Sequence, residues 1–266
     1  MSRILSISAA LLAVLLLAAP SYGQYRELYR LDEEVDLICF DNLLNLYKVK
    51  NTELVKYDKN GEFKFRYSDK RLGNIGSVDV TFPLRPLLVY PDINYAVLLD
   101  NTLSNNRGNI NLLNQGIDLG MLACASVQNH FWFYDAMNFS LVRTNENFKH
   151  VTNTGNLAQV LRIQSLQPNF LKEFANRVYL NNPSTGILVF DIFGTYIKTI
   201  PIIGLTEFQV NGNELVYFKE GSLFRFNSDN YEETEIPLPE GTLQALLQKN
   251  RIALRMSQSI AVLELN

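Results

Sequence analysis

An all-β propeller of about six four-stranded blades, closed by its own N-terminal strand, is what three observations predict. Past residue 31 the chain shows almost no helical periodicity. Short runs of Val, Ile, Leu, Phe and Tyr alternate with clusters of Asn, Asp, Gly, Ser and Pro, the pattern of strands and turns. An Asn followed by an apolar strand recurs at Asn45, Asn94, Asn129, Asn176, Asn213 and Asn250, with spacings of 49, 35, 47, 37 and 37 residues. Their mean is close to the roughly 40–45 residues of one propeller blade.

A second element supports the repeat. Residues 54–63 read Leu-Val-Lys-Tyr-Asp-Lys-Asn-Gly-Glu-Phe, and residues 187–196 read Ile-Leu-Val-Phe-Asp-Ile-Phe-Gly-Thr-Tyr. Each reads as a strand, a tight turn opened by Asp with Gly at a left-handed position, and the next strand. Weaker copies occur at Ser222–Asn227 and Leu141–Asn145. The run His130-Phe131-Trp132-Phe133-Tyr134 lacks polar alternation, as expected of a strand covered on both faces. Each Asn is read as opening a blade. The one beginning at Asn250 then has room for only two further strands, ending at Leu265. The segment Tyr25–Leu31 is otherwise unassigned, and pairing it with the last blade would remove an open edge. A turn or two of helix is expected near residues 155–164.

Residues 1–23 combine a basic start at Arg3, an apolar stretch over residues 4–19 and small residues before a cut at Gln24. That order predicts a cleaved export signal followed by one propeller domain over residues 24–266. The expected location is the periplasm or the outer-membrane surface. The formal charge is −3, with acids and bases interspersed and no basic stripe, which argues against nucleic acid as a partner. Cys39 and Cys124 lie in apolar segments assigned to non-adjacent blades and are expected to be free, buried thiols.

The strand, Asp-x-x-Gly turn, strand unit resembles the blade signature of six-bladed propellers of the NHL and lactonase-like superfamily. It also resembles small exported propellers of bacterial envelopes. The lactonase-like resemblance implies a divalent cation, calcium, held in the central channel by oxygens from different blades. The matching candidates are Asp36, Asp118, Glu173 and Glu207, with Gln244 beside them.

Other chemistry is poorly supported by the residues. His130 is read as a core histidine and His150 as a surface one, too few for a zinc centre. No Gly-x-Ser-x-Gly elbow occurs. Asp58-Lys59-Asn60-Gly61 reads as a hairpin turn, and Asn138-Phe139-Ser140 is a glycosylation sequon. The Asn-rich stretch 101–114 and the segment 151–164 are long loops of the kind that carry binding. The expected function is non-catalytic binding or scaffolding with envelope proteins. The alternative is a metal-dependent hydrolase or lactonase at the channel, and carbohydrate binding in the loops, suggested by the aromatic content alone, is a weaker third.

Overall fold

A computed structural model describes residues 25–265. The expected export signal and its cleavage point lie outside the described residues. Twenty-four strands form six four-stranded antiparallel sheets arranged as blades. Blade 1 comprises β2 (Leu37–Phe40), β3 (Leu46–Lys50), β4 (Glu53–Tyr57) and β5 (Phe63–Ser68). Blade 2 comprises β6 (Ser77–Asp79), β7 (Leu87–Tyr90), β8 (Tyr95–Leu98) and β9 (Asn109–Asn111). Blade 3 comprises β10 (Gly120–Ala125), β11 (Phe131–Asp135), β12 (Ser140–Thr144) and β13 (His150–Asn153). Blade 4 comprises β14 (Phe170–Phe174), β15 (Arg177–Asn182), β16 (Gly186–Asp191) and β17 (Tyr196–Ile200). Blade 5 comprises β18 (Gln209–Asn211), β19 (Glu214–Lys219), β20 (Ser222–Asn227) and β21 (Glu233–Pro237). Blade 6 comprises β22 (Gln244–Gln248), β23 (Arg251–Arg255) and β24 (Ile260–Leu265), completed on the outside by β1 (Tyr25–Leu31).

The closure expected from the sequence is therefore present. Tyr25 lies opposite Leu265 and Leu31 opposite Ile260, with one bulge between Glu27 and Tyr29. Side chains reinforce this ladder: Arg26 pairs with Glu264 at 2.5 Å, Arg30 Nη1 donates to Ser259 Oγ, and the Tyr25 hydroxyl donates to the Pro237 carbonyl. Tyr29 packs against the β4–β5 turn of blade 1. A Cβ at Gly61 would come within 2.6 Å of its ring, and Gly61 also has φ +82°, so both space and backbone require glycine there.

The core lies between the blades. Six apolar clusters occupy the six gaps, from Tyr47, Leu54, Leu88 and Val97 between blades 1 and 2 to Ile38, Leu46, Ala253 and Val262 between blades 6 and 1. Strand β11 shows why its sequence is uniformly apolar. Phe131 and Phe133 enter the cluster with blade 2, whereas Trp132 and Tyr134 enter the one with blade 4. Both faces are dry, so the alternation of a half-exposed sheet disappears.

Three sequence expectations need correction. The recurrent Asn does not open a blade; at five of the six positions it precedes the second strand, and the innermost strand lies just before it. Asn94 is out of phase, preceding the third strand of blade 2, with Pro86 at the equivalent turn. That displacement accounts for the uneven spacings around it. His130 sits in the turn before β11, half-buried, with its ring Nδ1 against the Val127 carbonyl. Cys124 is buried, but Cys39 is only partly so, because its strand lines the channel; both thiols are free. The expected helical turn is α1 (Leu157–Val160), capped by the Asn156 side chain. Among the described residues no helix is long and apolar enough to cross a membrane.

The closing strand yields a direct prediction. Deleting residues through Leu31 exposes the whole edge of β24 and strips apolar side chains from the two interblade clusters that flank blade 6. The melting temperature should then fall by about 10 °C or more, and size-exclusion chromatography should show association through the bare edge. A monomer of unchanged melting temperature would contradict the closure.

Candidate functional site

The six innermost strands are short, and their side chains meet in a central channel. Strand polarity divides the loops into two faces. The crossings between blades and the turns joining second to third strands lie on one face, called the upper face below. A cavity of about 290 Å³ opens on that side, lined among others by Asp36, Cys39, Asp79, Lys172, Glu207 and Arg255. A second cavity of about 450 Å³ opens on the lower side, reaching Phe40, Thr81 and Phe174. Cys39, Asp79, Lys172 and Glu207 line both, and so mark the middle of the channel.

Lys172 and Asp79 form the first polar unit there. The ammonium lies 3.0 Å from Asp79 Oδ1 and also donates to the Thr81 hydroxyl. Asp79 Oδ2 accepts the Ala125 amide at 2.7 Å, and Oδ1 accepts the Thr81 amide and hydroxyl. Burial alone would raise the Asp79 pKa, but Lys172, the Thr81 hydroxyl and the Ala125 amide together hold it below its ordinary value. Burial likewise disfavours the Lys172 ammonium, yet Asp79 raises its pKa overall. The pair is thus closed upon itself and ties blade 2 to blades 3 and 4. The neighbouring Cys39 thiol is pushed up by burial and by the surrounding carboxylates, which leaves it protonated and a poor nucleophile.

Glu207 and Gln244 form the second unit. The Gln244 amide is clamped to the blade 1 backbone, accepting from Ile38 N at 2.9 Å and donating to Ile38 O at 3.0 Å. Its Nε2 also donates to Glu207 Oε1, and its Oε1 accepts from Arg255 Nε at 3.3 Å. Burial pushes the Glu207 carboxyl from about 4.5 to about 7, with Gln244, Arg255 and Lys172 only partly offsetting it.

The residues expected to hold calcium are placed differently. Asp36 lines the upper cavity but accepts the Asn51 amide and lies 3.3 Å from Lys50. Asp118 is on the upper surface, accepting from Asn138 Nδ2 at 2.8 Å. Glu173 points away from the channel into the gap with blade 3, where Oε1 accepts the Val127 amide and Oε2 accepts the Trp132 indole N–H at 2.8 Å. Of the four carboxylates only Asp36 and Glu207 share a cavity, with Gln244 also in its wall. Among the described residues no group of three or more His, Cys, Asp or Glu side chains is arranged to hold a metal ion. This donor set does not fit a hard cation, which needs several oxygens around one point.

Of the channel residues missed from the sequence, Asp79, Lys172 and Arg255, Lys172 sits one step out of phase with the chosen Glu173. On β14, Phe170, Lys172 and Phe174 face the channel side, whereas Leu171 and Glu173 are buried in the opposite direction. A period-two strand reverses its facing with a one-residue error in phase. The signal available was a charged residue inside an innermost strand, as at Asp79 and Lys172. It could be used only once the innermost strands were located.

Two outcomes follow. Replacing Glu173 by Ala removes the acceptor for two N–H groups and should cost about 2–4 kcal/mol, with the emission of Trp132 reporting the change; an unchanged denaturation midpoint would contradict this. Glu207 binds its proton more tightly folded than unfolded. Its contribution is therefore fully present below about pH 4.5 and is lost as the pH rises toward about 7. Wild type should lose about 2 kcal/mol relative to Glu207→Gln between pH 5 and 7.5. Denaturation curves of constant separation across that window would show that Glu207 is solvated normally.

No protein-family model matches the sequence, and no curated protein matches it. Solved structures share its architecture. The WD40 domain of Neurospora crassa Pan2 superposes with a TM-score of 0.67 at 9% identity, covering 91% of this chain and 95% of that one. A catalytically inactive virginiamycin B lyase from Staphylococcus aureus, with quinupristin, gives 0.60 at 13% identity, covering 87% and 80%. The WD40 propeller domain of Doa1 gives 0.59 at 10% identity, covering 90% and 97%. At these identities the likeness concerns the propeller fold.

Proposed function

We propose that the protein is a non-catalytic binding propeller of the cell envelope that docks a protein partner on its upper face over blades 2 and 3. The observation that carries this reading is a rigid apolar ledge. Four loops, 91–94, 112–119, 136–139 and 154–161, are bonded to one another at that place. The Asn94 side chain donates to the carbonyls of Ile117 and Asp118 and accepts the Gly120 amide. Asp135, buried, accepts the amides of Asp118, Leu119 and Met137 and the side chain of Asn138. The Phe139 carbonyl accepts the Leu157 amide at the start of α1.

On this frame Ile93, Leu113, Met137, Phe139 and Val160 are turned outward, with Leu113, Met137 and Val160 at 59%, 62% and 63% exposure. Exposed apolar groups on loops that are themselves held rigid cost little conformational entropy when a partner covers them. A cluster of this kind, rimmed by polar residues, suits a protein surface presenting apolar side chains. Asn138 donates to both Asp118 and Asp135 here, so its amide helps to hold the ledge. Export to the envelope rests on the basic, apolar and small-residue segments of residues 1–23. Kinship with the NHL and lactonase-like propellers rests on the Asp-x-x-Gly turns. The alternative of a metal-dependent lactonase gains no support from the scattered carboxylates.

The test is affinity capture from envelope extracts with three baits. Wild type and Leu84→Asp, which alters an exposed residue on the lower face, should recover the same partner, whereas Leu113→Asp/Met137→Asp should lose at least about nine-tenths of it, equivalent to roughly 1.4 kcal/mol. Equal recovery by all three baits, or none by wild type, would overturn the reading.

A further inference from the structure

The upper half of the channel holds a cation and an anion that are kept apart. Arg255 and Glu207 line the same cavity of about 290 Å³, yet they form no ion pair. Between them stands the Gln244 amide, which cannot turn because both of its polar atoms are bonded to Ile38. Arg255 uses Nε on Gln244 and makes one long contact, 3.5 Å, from Nη1 to the Val35 carbonyl; no protein acceptor among the described residues takes Nη2. Glu207 uses Oε1 on Gln244, and no protein donor among the described residues reaches Oε2. The other charges nearby are already matched, Lys172 with Asp79 and Asp36 with Lys50.

Both side chains are half-buried in the wall of this cavity, where opposite charges attract more strongly than in bulk water. A fold that holds them apart on a fixed spacer is complementary to something carrying both opposite charges. The remaining wall is largely apolar, with Leu37, Val78, Leu122 and Phe170 among its residues. We infer that this half-channel is a binding site for a small zwitterion of the α-amino-acid type, its carboxylate on Arg255, its ammonium on Glu207 Oε2 and an apolar side chain against that wall. The occupant is a free small molecule, because the cavity holds only about 290 Å³ and is flanked by the closed Lys172–Asp79 pair. The site is separate from the ledge over blades 2 and 3 and does not depend on it.

Isothermal titration at pH 7.5 with L-leucine as probe tests the assignment, alongside N-acetyl-leucine, which lacks the ammonium, and leucinamide, which lacks the carboxylate. Leucine should bind wild type at least tenfold more tightly than either capped form. Glu207→Gln and Arg255→Gln should each weaken leucine at least tenfold. The first should no longer distinguish leucine from N-acetyl-leucine, and the second should no longer distinguish it from leucinamide. Trp132 emission and the melting temperature identify a variant that has lost the fold. If either has, the comparison of the three probes on wild type decides the matter alone. No binding of leucine to wild type at 10 mM, equal binding of all three probes, or leucine affinity unchanged in both folded variants would overturn the proposal.

Discussion

Burial between neighbouring blades is the constraint from which the rest of this structure follows. No sheet here has a dry face of its own; each becomes dry only when the next blade covers it, and six separate apolar clusters result. Such an arrangement has no natural end. A linear stack would leave two bare faces, and closing it into a ring removes both. Ring closure then depends on β1, which completes blade 6 from the other end of the chain and brings Tyr29 against the first hairpin of blade 1.

The channel is a consequence of the same geometry. Around the axis the innermost strands converge but do not pair with each other in a backbone ladder, so their side chains must settle the polarity of the centre. In this protein the settlement is uneven. Lys172, Asp79 and Thr81 satisfy one another and act as a structural tie, whereas Glu207 and Arg255 are separated by an amide clamped to Ile38. The first arrangement stabilises the ring, and the second gives the upper half of the channel the character of a binding site. The apolar ledge lies on the same face, built from loops that Asn94 and Asp135 lock together.

Much of the fold was legible because repeated geometry demands repeated residues. The Asp58 and Asp191 turns use the same bonds, a carboxylate accepting amides two and four residues on and a glycine at positive φ. The blade 2 copy at Asp100 escaped notice because Leu103, not glycine, takes the left-handed position. The carboxylate turn survives there while its most recognisable letter is lost. Blade phase was harder to read, because two of the innermost strands, β6 and β18, have only three residues each, too few to show an alternation. That is also why Glu173 was chosen in place of Lys172, since a carboxylate buried against Trp132 and a lysine in the channel are adjacent letters. The ledge could not be seen in advance, because its five apolar residues come from four loops whose union depends on tertiary hydrogen bonds.

Native-state hydrogen exchange followed by mass spectrometry tests the closed ring most directly. If β1 is the fourth strand of blade 6, the amides of residues 25–31 that bond to β24 exchange as slowly as those of residues 260–265, and denaturant releases the two segments together. Exchange of residues 25–31 within seconds, while residues 260–265 stay protected, would show a ring that is not closed by its N-terminal strand.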